Sequence, residues 1–440
     1  MSVFADALDN GLRLRVESVP QYARGLAAVA LTVGAGGDDD PAGRHGMAHL
    51  VEHLMFPRAM DDAQDTGHVA RIEGAGGVCN AETHRDHTVF HTSVPADMLG
   101  DVLEWEARRL LDFAPADEVI RTETGVIAEE IRGAASGGRV WDTALAALLP
   151  GSRDSFGTAS ALAGARADEV AAFFRWHYTA DRMVLSVVGD VEPERVAEQA
   201  RGLFAEVAPA PSTPAAPATP SAPCTPEASS APSALSAPIA PPGPATSPVQ
   251  GPAAPLSRLP SAVPGAALGH PLPDPVAERA AYLAHVVLAQ VLGRSRLPLL
   301  TRGDRRLTSA SVTCGYYGQW LGSAAPDLAL VLLGRAPGVP VAAAVESWLD
   351  VLREAAAHPV SETEHRRALN SLLVACHRQA DSLTARAVGH GRTELLFGGA
   401  GGADALPGEL ARVTPDEVSA AARALLDGPR SVIELQGEPR

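Results

Sequence analysis

The chain has 440 residues, enough for two or three domains, and its 36 basic and 52 acidic side chains leave a formal charge of −16, which argues against a nucleic-acid-binding surface. Apolar residues make up 46 % and aromatic residues only 4 %, while 41 Gly and 36 Pro point to at least one stretch that cannot pack. Cys79, Cys224, Cys314 and Cys376 form no CxxC pair, which disfavours a disulfide framework or a cysteine metal site and suits a reducing compartment. No run approaches the ~20 apolar residues of a membrane span, and residues 1–9 hold no basic-then-apolar segment, so a cytoplasmic protein with no membrane contact is expected.

In chain order, the alternation over 11–19 predicts a half-buried strand and 25–33 a more buried one, so two strands are expected before the first helix. That helix is expected over 45–56, with Leu50, Val51, Leu54 and Met55 at helical spacing and Pro57 as its stop. A second, acid-rich helix is read over 121–131, a central strand over 182–189 and an amphipathic helix over 192–204. From 208 to 257 the chain is almost wholly Ala, Pro, Ser, Thr and Gly, with 15 prolines in 50 residues and Glu227 as its single charge. Such a stretch reads as a semi-extended spacer. Beyond it, 327–334 repeats the strand and 341–356 the helix, whereas the glycines of 398–402 lack the lysine of a phosphate loop and read as turns. The pattern predicts an α+β chain with two domains of similar plan, 1–207 and 258–440, joined by a flexible linker over 208–257.

Within the first helix stands His49-Leu50-Val51-Glu52-His53, whose three polar side chains share one face at i, i+3 and i+4. Two imidazoles one turn apart are a recurrent zinc-binding device, and a neighbouring carboxylate that does not ligate the ion can act as a proton acceptor. The order HxxEH is that of the inverzincins, with a solvated helix face as the bland alternative. A zinc site of this kind requires a third protein ligand, and Glu123 and Glu130 lie two turns apart on one face of the acid-rich helix.

The full spacing, HxxEH, 69 residues, Glu, six residues, Glu, resembles that of the pitrilysin and insulin-degrading enzyme family of zinc peptidases. The resemblance is closest to the short bacterial members related to the mitochondrial processing peptidase. It implies two homologous α/β-sandwich domains, each a mixed sheet flanked by helices, forming half of a clamshell peptidase chamber. It further implies one zinc ion per chain on His49, His53 and Glu130, with Glu52 as the base. Glu123 joins Glu52 in the catalytic set, as a carboxylate that orients a zinc histidine; the alternative is a solvated helix acid. Asn80-Ala81-Glu82-Thr83 resembles the family's Asn-Ala-x-Thr strand beside the cleft, so Asn80 and Ala81 are expected to bind an extended peptide by main-chain pairing. Ser295-Arg296-Leu297 and Arg302 resemble its Ser-Arg-Leu segment and substrate-binding arginine. His45, His84, His87 and His91 fit no ligand pattern of the family and read as ordinary polar positions around a strand.

One position departs from the family. Its substrate-binding arginine is followed seven residues later by a tyrosine that helps stabilise the oxyanion, and here that place holds Ser309. Tyr316 and Tyr317 stand 14 and 15 residues after Arg302 and receive no role. The resemblance therefore implies hydrolysis of short or unfolded peptides, leader or presequence removal among them, by the catalytic subunit of a dimer. The expected partner is a homologue with an intact Arg/Tyr pair, with a homodimer as second choice. The rival reading is a peptide-binding or assembly subunit that keeps the zinc motif without turnover.

Overall fold

A computed structural model of the chain describes residues 3–56, 67–136, 139–210, 257–399 and 402–437. The first sheet is built from β1 (Phe4–Ala7), β2 (Arg13–Ser18), β3 (Leu26–Val33), β4 (Val78–Thr83), β5 (Thr88–Pro95) and β6 (Met183–Gly189), in the order β1-β2-β6-β3-β5-β4. The apolar runs of β3 and β6 are what central strands covered on both faces require. The second sheet holds β7 (Ser257–Ser261), β8 (Gly265–Pro271), β9 (Leu307–Cys314), β10 (Leu328–Arg335) and β11 (Ser431–Gly437), ordered β7-β11-β8-β10-β9. With β1 set aside, both sheets follow one scheme, in which the first and last strands in sequence pair in parallel and all other neighbours are antiparallel. β4, which carries Asn80 and Ala81, and β9, which carries Ser309, are thus equivalent edge strands.

Each sheet has one broad helical layer over its larger core. Helices Met47–Leu54, Leu99–Leu111, Ala167–His177 and Pro193–Phe204 cover the first sheet, while Arg279–Val291, Val341–Ala357 and Pro415–Asp427 cover the second. The opposite faces are covered by exchange. Helix Leu383–Phe397, from the second half, packs Ala387 against Ala28, Ala30 and Val188 of the first sheet. Helix Val140–Leu148, from the first half, packs Trp141, Ala144, Leu145 and Leu148 against Ala267, Leu328, Leu330 and Ile433 of the second.

Several expectations are corrected. Three strands and the one-turn helix Pro20–Ala23, not two strands, precede the helix that carries HxxEH. β1 escapes a periodicity argument because four residues give too few repeats. The HxxEH helix is confined to Met47–Leu54, and Pro57, its expected stop, lies outside the described residues. Most of the spacer, 211–256, also lies outside them; at its borders Ala208 accepts from the Ala180 amide, the Ala210 amide donates to Asp181, and Ser257 already belongs to β7. Among the described residues no helix is long and apolar enough to cross a membrane.

Candidate metal centre

Helix Met47–Leu54 begins under close control. Asp40 accepts from the amides of Gly46 (2.5 Å) and Ala48 (2.8 Å), occupying two donors that the first turn leaves free. Burial pushes the Asp40 carboxyl up to about 7 despite those two bonds. Met47, Leu50, Val51 and Leu54 face the core, which turns His49, Glu52 and His53 toward the cleft. Across from them, helix Asp117–Ser136 is anchored by Ile120 and Ile127, both fully buried, so that Glu123 and Glu130 present along the same face.

The two glutamates meet different atoms. Glu123, only 4 % exposed, accepts from His53 Nδ1 at 3.1 Å, and the carbonyl of Phe156 accepts from His49 Nδ1 at 3.1 Å. With both Nδ1 atoms committed as donors, each ring presents a lone pair at Nε2. Those two Nε2 atoms stand 3.2 Å apart, and Glu130 Oε2 lies 3.4 Å from each. A metal cation placed among these three atoms could be ligated by all of them. For tetrahedral bonds of about 2.0–2.1 Å the ligand-to-ligand edge is about 3.3–3.4 Å, so the donor set fits zinc in both type and size. Burial disfavours charge on His49, but the hydrogen bond to Glu130, the nearby Glu52 and the Phe156 carbonyl outweigh it and raise its pKa. The pKa of Glu130 falls, chiefly through its bond to His49.

Glu52 is not part of the triangle. Its Oε2 accepts from the hydroxyl of Thr83 on β4, which fixes a carboxylate beside the donor set. The cleft around it measures about 800 Å³ and includes Asn80, Ala81, Glu82 and Phe156. All described residues lining it come from the first half of the chain.

The structure thus gathers His49, Glu52, His53, Glu123, Glu130, Asn80 and Ala81, and leaves two predicted residues elsewhere. Arg296 donates to Glu364 at 3.4 Å, and Arg302 is exposed on helix Leu297–Gly303. Ser309 lies exposed on β9. His84 and His87 are buried where the halves meet, stacked at 4.4 Å, with Arg392 donating to His87 at 3.3 Å. They are therefore junction residues rather than incidental polar positions. Sequence reasoning missed Thr83 as the partner of Glu52 and Phe156 as the partner of His49. Thr83 stood within a motif already singled out, whereas a backbone carbonyl 107 residues from its histidine leaves no signal in spacing.

The family profile described as insulinase (peptidase family M16) matches residues 15–137, and the profile described as peptidase M16 inactive domain matches residues 165–372. An uncharacterised zinc protease of Mycobacterium leprae is 31 % identical over 207 residues, covering 45 % of this chain and 45 % of that protein. The mitochondrial-processing peptidase subunit beta of Dictyostelium discoideum is 26 % identical over 215 residues, covering 46 % of this chain and 43 % of its own length. The chain spans about half the length of these curated relatives. A solved protease of Helicobacter pylori superimposes with a TM-score of 0.80 at 17 % identity, covering 99 % of both chains, and so shares the fold. With one profile matching residues 15–137 and the other residues 165–372, across the spacer, the chain belongs to the insulinase family, peptidase family M16.

Proposed function

We propose that the chain is a zinc-dependent endopeptidase acting on short or unfolded peptides, one ion per chain, and that it works as the catalytic subunit of a dimer. The observation that carries this reading is the triangle of His49, His53 and Glu130, with Glu52 held beside it by Thr83 and not consumed as a ligand. His49, His53 and Glu130 would hold the ion, which when bound supplies Lewis acidity at a peptide carbonyl and makes a water more acidic. Glu52 takes the proton from water and returns it to the leaving nitrogen. Glu123 and the Phe156 carbonyl keep the two imidazoles in one tautomer and one orientation. β4 is an edge strand along the cleft, so an extended peptide can add to it by main-chain pairing, with side chains contributing little to selection.

Arg302, Arg296 and Ser309 support the dimer. No residue of the second half lines the cleft among the described residues, and the position seven residues after Arg302 lacks a phenol. A homologous partner with an intact Arg/Tyr pair would supply an oxyanion donor of the kind whose loss costs ~2.7 to 4 kcal/mol. Ser309 also favours a second reading, a peptide-binding or assembly subunit without turnover. Glu52→Gln separates the two. The first reading expects about one zinc per chain in both proteins and peptide hydrolysis, measured with the homologous partner present, only in the unaltered one. A zinc-free unaltered chain, or equal turnover by the variant, would overturn it.

A further inference from the structure

The loop between β9 and β10, in the second half, reaches the wall behind His49. Segment 154–158 is that wall: the Phe156 carbonyl accepts from His49 Nδ1 at 3.1 Å, and the Thr158 amide donates to the His45 carbonyl at 3.2 Å. Gly46 and Gly157, with φ of +108° and +85°, press backbone to backbone here, and a Cβ on Gly157 would sit 2.3 Å from Gly46 Cα. The Asp154 carboxylate folds the segment by accepting from the amides of Phe156 (2.9 Å) and Gly157 (2.8 Å), and Arg139 pairs with its other oxygen. One amide of the wall, that of Ser155, turns to the second half instead. It donates to the Tyr316 hydroxyl at 3.2 Å, and the Ser155 hydroxyl bonds the same oxygen. Tyr316 is 5 % exposed and stands edge-on against Trp141, with ring centroids 4.7 Å apart. Its hydroxyl is therefore a fixed post, and burial keeps it protonated, with the pKa pushed up to about 12.

We infer that Tyr316 is a positioning residue for the metal centre, fixing Ser155 so that the Phe156 carbonyl holds His49 with Nε2 toward the ion. The inference rests on the proposal that His49, His53 and Glu130 hold zinc. It gives the second half a part in metal binding although none of its described residues lines the cleft. Without the hydroxyl, the buried Ser155 amide loses its acceptor, the wall relaxes, and His49 regains ring freedom that zinc binding must then remove.

Tyr316→Phe keeps the ring and its contact with Trp141 and removes only the hydroxyl. Loss of a group that orients a ligand lowers metal affinity by ~10- to 100-fold; because Tyr316 acts on His49 through Ser155 and Phe156, a fall at the low end, about tenfold, is expected in zinc affinity in competition with a chelator. The visible spectrum of the cobalt-loaded chain should change as well, since it reports ligand geometry. Tyr282→Phe is the matched comparison: the Tyr282 hydroxyl, on helix Arg279–Val291 in the larger core of the second half, accepts from the Leu321 amide of the same loop at 3.2 Å. It should lower stability without moving zinc affinity or the cobalt spectrum. Unchanged affinity and spectrum in Tyr316→Phe, or equal falls in both variants, would overturn the inference while leaving the metal centre standing. An unaltered chain that binds neither zinc nor cobalt would overturn the metal centre, and the inference with it.

Discussion

Glu123 and Glu130 share a helix face yet do different work, because Glu123 lies buried against His53 Nδ1 whereas Glu130 reaches both Nε2 atoms. Glu130→Gln should therefore remove a ligand and reduce zinc affinity severely. Glu123→Gln should weaken it by only ~10- to 100-fold, the usual effect of losing a carboxylate that orients a ligand. A competitive chelator titration, with circular dichroism to verify folding, measures both, and equal losses would refute the division of roles. The helical parts of this centre were legible because 3.6-residue periodicity makes i, i+3, i+4 and i+7 spacings into geometry. His49, Glu52, His53, Glu123 and Glu130 all yield to that rule. The Phe156 carbonyl and Tyr316 do not, since they arrive on loops from distant parts of the chain, and a main-chain oxygen has no residue signature.

Among the elements, β3 shows how an apolar run can hide two meanings. Ala27, Val29, Leu31 and Val33 face the main core, while Ala28, Ala30 and Thr32 face helix Leu383–Phe397. The small residues on that second face let the helix come close. A Cβ on Gly391 would lie 2.2 Å from Thr32 Oγ1, so Gly391→Leu should destabilise the protein by about 1–3 kcal/mol through overpacking, despite the gain in helix propensity. Gly389, on the same helix, has nothing within 4 Å, and Gly389→Ala should stabilise by up to ~1 kcal/mol. Urea unfolding of the two variants tests the contrast; changes of the same sign would show that the helix does not seat as described. The run over 25–33 was readable as a buried strand, but its partner was not. Alternating small and large apolar residues satisfy the same buried-strand pattern whichever helix covers them.

Across the whole molecule, the exchanged helix is also an ionic clasp between the halves. Glu17 on β2 is fully buried and accepts from Arg386 Nε at 2.9 Å and from His390 Nε2 at 2.8 Å, while Glu394, nearer the end of the same helix, pairs with Arg15 at 2.6 Å. Burial alone would raise the Glu17 carboxyl, but the hydrogen bonds from His390 and Arg386 outweigh it and bring the pKa down from 4.5 to about 2. Because the folded value lies below the unfolded one, the unfolded chain binds the proton more readily as the pH drops, and the stabilisation from Glu17 is complete only above about 4.5. It should disappear progressively as the pH falls from about 4.5 toward about 2. Near neutrality, Glu17→Gln leaves the partly buried Arg386 guanidinium without its carboxylate and should cost about 3 kcal/mol. Between about pH 4.5 and 3 the unfolded chain takes up a proton at Glu17 while the folded one keeps the carboxylate, so the difference between the two proteins should shrink. Unfolding free energies of both proteins at stepped pH values from 6.5 to 3 measure that convergence. A difference that stays constant across the range would mean that the halves are held by packing of helix Leu383–Phe397 alone, with the clasp contributing no pH dependence.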